Sequence, residues 1–181
     1  MTADEFFALG ETPERYELIN GVVALSPSPF ASHNEIAVEI TGQLRDFARA
    51  GGGVRTFPDT DLRLSATLVY RPDVSAYRAG RLHGRVERLT TPPDLIIEIL
   101  SQSTRLQDLI PKRDAYERFG VGEYWTIDPA DASVRRWRRA HAAGPMAEAP
   151  VDPGAATVES TALPGFALDL RPILAIVRGE A

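Results

Sequence analysis

Apolar residues follow two periods along this chain, and the places where one replaces the other mark its elements. From His33 to Ala50, Ile36, Ile40, Leu44 and Phe47 recur at helical spacing with Ala37 and Ala48 beside them, and Gly51-Gly52-Gly53 stops the pattern. Asp94 to Leu100 (DLIIEIL) is a near-continuous apolar run of strand length, as expected of a central strand covered on both faces. Asn20-Gly21 joins two apolar pieces within Tyr16 to Leu25 and predicts a β-hairpin. Ala3 to Leu9 reads as a short helix and Ser26 to Ser32 as a loop. Val54 to Phe57, Leu62 to Leu64 and Leu68 to Tyr77 read as extended pieces, and Arg78 to Thr91 as a loop.

Beyond the central run, the spacing predicts a helix from about Thr104 to Phe119, ended by Gly120 and Gly122. Pro111 sits inside it, and a helix accepts Pro only in its first turn, so the well-formed part is expected to begin near Asp108, a good N-cap. Glu123 to Ile127 and Val134 to Arg139 read as strands. Ala140 to Ala156 reads as a loose loop or a hairpin tip, and Pro172 to Val177 as a final short helix.

Composition narrows the chemistry. A length of 181 residues suits one domain, residues 1–181, with a substantial core. No apolar stretch approaches the roughly 18 residues of a membrane span, and the first residues lack a basic region followed by an apolar run, so a cytoplasmic protein with no membrane partner is expected. Without Cys, any metal falls to carboxylates and three His, which favours a hard ion. The formal charge of -5 argues mildly against a protein that coats nucleic acid, although Arg135, Arg136, Arg138 and Arg139 cluster around Trp137. Tyr124 and Trp125 read as core or a dimer surface, and aromatic strand surface exposed around them and Trp137 is expected to make a homodimer.

Two residues are out of place. Glu98 is a carboxylate inside the apolar run, costly to bury unless it is paired, hydrogen-bonded or metal-bound. Lys112 is the one Lys among twenty Lys and Arg. A compact ammonium can serve a single water or phosphate oxygen where Arg cannot. With Asp73, which follows Pro72 in an extended piece, they form a candidate catalytic set. Two carboxylates from adjacent strands suit Mg²⁺, which takes one or two protein carboxylates and fills its octahedron with water and phosphate oxygens. Each also has a plainer reading, Asp73 as a strand-end residue and Glu98 in a buried salt bridge.

Pro72-Asp73, Pro93-Asp94-Leu95-Ile96-Ile97-Glu98-Ile99-Leu100-Ser101, then Asp108, Lys112, Tyr116 and Gly120-Val121-Gly122-Glu123-Tyr124-Trp125 resemble the Uma2 family of the PD-(D/E)XK nuclease superfamily. Tyr16-Glu17-Leu18-Ile19-Asn20-Gly21, His33 and Leu163-Pro164-Gly165-Phe166 extend the resemblance over nearly the whole chain. It implies an α/β fold: a restriction-endonuclease-like core with a mixed central β-sheet flanked by helices and an N-terminal β-hairpin. It also implies Mg²⁺-dependent (or Mn²⁺-dependent) cleavage of phosphodiester bonds in nucleic acid. Asp73 and Glu98 match the acidic positions, with the Ile99 carbonyl as a third metal ligand. The superfamily's usual Lys, two residues after the Glu, is replaced by Leu100, and Lys112 on the next helix takes that role. Glu17, His33 and Tyr116 are further pocket candidates, Tyr116 as a packing residue with a wet tip. The competing reading is a non-catalytic assembly or interaction protein that keeps the fold and uses the acidic residues and Lys112 as a buried ionic network.

Overall fold

A computed structural model describes the chain except residues 11, 13, 27, 28, 102–104, 132, 142, 143 and 181 and the side chain of residue 107. The expected loop over 26–32 and the expected helix start at Thr104 therefore lie partly outside the described residues. Helix α1 (Ala3–Ala8) starts with a capping box between Thr2 and Glu5. Strands β1 (Arg15–Ile19) and β2 (Val22–Ser26) form the expected hairpin, with Asn20 at φ 52° and Gly21 at φ 83°, as a two-residue type I′ turn requires. Helix α2 (Ala31–Phe47) begins two residues before His33, with Phe30 as N-cap, and widens into a π-helical turn over Ala48–Gly52.

Strand β3 (Val54–Pro58) and the two-residue strands β4 (Leu62–Arg63) and β5 (Val69–Tyr70) follow. The extended piece expected over Leu68 to Tyr77 divides at residues 71–73 into β5 and β6 (Val74–Arg78), because Pro72 has no N–H to continue a ladder. That break sets Asp73 at the entry of β6. Strand β7 (Leu95–Ile99) is the central apolar run.

The next helix departs from expectation. It runs as α3 (Arg105–Gln107), a π-helical segment over Asp108–Lys112, and α4 (Arg113–Phe119). Asp108 is therefore no N-cap. A regular helix would drive the Pro111 ring against the carbonyl four residues earlier, and the wider turn relieves that clash. Strands β8 (Glu123–Ile127), β9 (Val134–Arg139), β10 (Met146–Ala149), β11 (Thr157–Glu159) and β12 (Ala167–Asp169) lead to α5 (Arg171–Arg178). The stretch over 140–156, expected as a loose loop or a hairpin tip, contributes β10, paired antiparallel with β9 as the second strand of a hairpin.

Six strands form the central sheet in the order β10-β9-β8-β7-β6-β3, mixed because β7 and β8 run parallel while its other pairs are antiparallel. A second sheet has the order β2-β1-β5-β4, and β11 and β12 pair separately. Alternation along β7 sorts the core. Leu95, Ile97 and Ile99 face Ile36, Ile40 and Leu44 of α2 and Ile173 of α5. Ile96 faces the other way, with Tyr116 of α4, Tyr124, and Tyr70 of the second sheet. Glu98 shares the parity of Ile96, so it points into the layer between the two sheets and α4. Among the described residues, no helix is long and apolar enough to cross a membrane.

Candidate active site

The antiparallel register that pairs Val74 with Ile97 sets Asp73 opposite Glu98. Main-chain and side-chain groups interlock there: the Ile99 N–H donates to Asp73 Oδ2 at 2.7 Å, and the Asp73 N–H donates to Glu98 Oε2 at 3.2 Å. The π-helical segment delivers Lys112 from the opposite side. Its Nζ donates to Glu98 Oε1 at 3.1 Å and lies 3.1 Å from Asp108 Oδ1 and 3.5 Å from Glu17 Oε1. The Tyr70 ring centroid is 5.6 Å from the same ammonium. Asp73, Glu98 and Lys112 thus converge, and Glu17 joins them from the second sheet, where its Oε1 also accepts the Arg71 N–H at 3.0 Å.

Tyr116 differs from the expected packing residue with a wet tip. It is fully buried, and its hydroxyl donates to Glu98 Oε1 at 2.7 Å. Burial, then the neighbouring Glu98, holds its pKa well above the ordinary phenol value, so it remains a donor. His33, in the first turn of α2, places Nε2 3.1 Å from Asp73 Oδ2. The imidazole therefore sits against one of the groups expected to hold a metal.

The electrostatics are one-sided. Glu17, Glu98, Asp108 and Lys112 are each no more than 6% exposed. Burial disfavours the Lys112 ammonium, yet Glu98, Glu17, Asp108 and Asp73 outweigh it and hold its pKa well above the ordinary value. Glu98 moves the other way: burial raises its pKa well above the ordinary carboxylate range, Asp73 and Asp108 add to the rise, and Lys112 offsets only part of it. Burial also acts to raise Asp73, but its contacts with His33, with help from Lys112, bring the pKa below its ordinary value.

Of the two readings of the strand aromatics, core or exposed surface, the structure takes the core. Tyr124 and Trp125 are fully buried and Trp137 is nearly so. Tyr70, Tyr116, Tyr124 and Trp137 form a continuous ladder, with successive ring centroids 5.9, 5.3 and 5.5 Å apart. They fill the chain's own core, so the homodimer expectation loses the surface on which it was argued. Asp108 was legible as a helix-stripe neighbour of Lys112 at i, i+4, but not as a buried partner whose carbonyl also accepts the Tyr124 hydroxyl at 3.0 Å. Tyr70 as a wall of the ammonium's pocket was missed, since nothing local ties a short strand in one sheet to a helix packed on another.

A mixed sheet with two carboxylates at facing strand positions and a cation supplied by the helix between two parallel strands defines a restriction-endonuclease-like architecture. The fold is shared, with a TM-score of 0.81 and 21% identity, by a solved structure described as a "putative nuclease belonging to DUF820 from Anabaena variabilis ATCC 29413"; the match covers 98% of this chain and 99% of that one. The chain belongs to the Uma2 family, described as "putative restriction endonuclease", whose pattern matches residues 3–171. No curated protein matches the chain.

Proposed function

We propose that this chain is a nuclease that hydrolyses phosphodiester bonds in nucleic acid with Mg²⁺ (or Mn²⁺) held by Asp73, Glu98 and the Ile99 carbonyl. The observation that carries this reading is the charge imbalance: the carboxyls of Glu98, Asp108 and Glu17 lie within 3.5 Å of one ammonium in a layer almost closed to water, and Asp73 adjoins Glu98 at its edge. A divalent cation would offset that excess and let Glu98 ionise despite its burial. The donors are hard oxygens, and Mg²⁺ accepts one or two protein carboxylates with water completing its shell. Such an ion supplies Lewis-acid activation of water and neutralises charge on the attacked phosphate.

The chain's own groups act around it. Lys112 and Tyr116 both donate to Glu98 Oε1, leaving Oε2, which accepts the Asp73 N–H, as the oxygen with capacity toward a metal. Because its pKa is raised, Lys112 stays an ammonium. Its part is to orient Glu98 and to present positive charge where negative charge grows, not to take the proton of water. Hydrolysis adds water across one P–O bond, giving a phosphate monoester and an alcohol. The descriptions of the family and of the structural neighbour support this reading.

One observation favours the alternative. Lys112 Nζ already has Glu98, Glu17 and Asp108 within 3.5 Å, which is the arrangement of a closed ionic network in a non-catalytic assembly or interaction protein. A cleavage screen over plasmid, single-stranded DNA and RNA, with calorimetric Mg²⁺ titration, separates the two. The nuclease reading expects Mg²⁺ binding, cleavage abolished by EDTA, and a loss on the order of 100-fold or more in Asp73→Asn. Absence of both Mg²⁺ binding and cleavage would leave the ionic network.

A further inference from the structure

Two large apolar side chains stand exposed on α2 and its cap: Phe30, next in sequence to Pro29, is 77% exposed at the N-cap, and Val38 is 72% exposed two turns further along the helix. Val38 lines an open groove of about 630 Å³ that reaches Asp73 and His33. One wall is a helical stripe of His33, Asn34, Val38, Thr41 and Arg45. Pro29, Pro58 and Arg15 line it from outside the helix. From His33 to Arg45 the helix rises about 18 Å, at about 1.5 Å per residue.

The groove alternates chemistry along that length. Arg45, at the end away from Asp73, makes no ion pair or side-chain hydrogen bond among the described residues. Asp59, the other acidic lining residue, is neutralised by Arg15 and Arg71. A ligand that fits presents one anionic group toward Arg45, another toward the metal that Asp73 would hold, and a flat apolar body between them. An aliphatic chain would leave Arg45 unmet. A duplex keeps its base faces stacked inside, out of reach of such a groove.

We propose that this groove is a subsite for an unpaired nucleotide of single-stranded nucleic acid, adjoining the phosphate that is cleaved. The base packs against Val38 and Pro58, Phe30 stacks the neighbouring base at the mouth, and Arg45 takes a flanking phosphate. This rests on the nuclease reading and extends it by naming the strand state of the substrate.

The test is fluorescence anisotropy with a labelled short single strand, in DNA and RNA versions, and with the matching blunt duplex, Ca²⁺ replacing Mg²⁺ so that nothing is cut. Single strands are expected to bind at least about tenfold more tightly than the duplex. Phe30→Ala is expected to weaken single-strand binding about 5- to 150-fold, the range for loss of one stacked base. A Cβ on Gly42, another groove residue, meets no atom within 4 Å, so Gly42→Phe fills the groove without disturbing the core and should weaken binding at least as much. Leu9→Ala, an exposed apolar residue outside the groove, should bind as the parent does. Duplex binding equal to single-strand binding, or parent-like binding by both Phe30→Ala and Gly42→Phe, overturns the proposal. Turnover of bis(p-nitrophenyl) phosphate by the parent and its loss in Asp73→Asn test the nuclease reading separately, because that diester has no nucleotide to place in the groove.

Discussion

Replacing Lys112 with Met removes the ammonium while keeping most of the stem's volume, and leaves Glu98, Asp108 and Glu17 without their shared cation. At 3.1 Å each of the two nearest contacts is worth on the order of 5 kcal/mol at an effective dielectric near 20. Desolvation of the ammonium cancels much of that sum, and removing one partner from a buried charge network typically costs about 3–5 kcal/mol. For a chain of this size the melting temperature should fall by roughly 6–20 °C. The cost should be largest in EDTA and smaller in saturating Mg²⁺, because carboxylates freed of the competing ammonium bind the ion more tightly, and each tenfold fall in Kd stabilises the variant by about 1.4 kcal/mol more than the parent. Urea denaturation of parent and Lys112→Met, each with EDTA and with Mg²⁺, measures all four stabilities. A variant within about 1 kcal/mol of the parent in EDTA would show that these carboxylates do not depend on the ammonium, and would remove the charge-imbalance argument for the metal.

Lys112→Arg keeps the charge, yet its planar fork does not fit between Glu98, Glu17 and Asp108 beside the Tyr70 ring, so cleavage should fall on the order of 100-fold, as read by initial rates on the best substrate of the screen. In EDTA the His33–Asp73 pair should make stability pH-dependent. His33, raised above its ordinary 6.5, contributes fully below that pH and less as pH rises through its folded pKa, while Asp73, lowered below 3.8, contributes above that value and less as pH falls. The stability difference between parent and His33→Ala should therefore peak between pH 3.8 and 6.5 and shrink toward pH 8, and a flat difference across urea titrations would refute the pairing. Gly122→Ala should destabilise by about 1–3 kcal/mol, because a Cβ there would sit 2.7 Å from the Asp94 carbonyl that also accepts the Glu123 N–H; thermal melting reads this directly.

Local pattern was enough to find the hairpin at Asn20-Gly21, the helix through Ile36, Ile40 and Leu44, and the central strand, since each depends on side-chain periodicity or turn conformations that neighbouring residues enforce. It was also enough to single out Glu98 and Lys112: a carboxylate in an apolar run and a single Lys among many Arg are anomalies of position and composition, visible without coordinates. Packing decided the rest. Glu17 meets Lys112 only because the second sheet closes over α4, and His33 meets Asp73 only because α2 lies across the entry of β6. Whether Tyr124, Trp125 and Trp137 face solvent or core depends on what covers each face of β8 and β9. Alternation along a strand assigns side chains to opposite faces but says nothing of what lies beyond them. Pro111 warned of a broken helix. The wide turn that brings Asp108 and Lys112 together around Glu98 was settled by the space between the sheets.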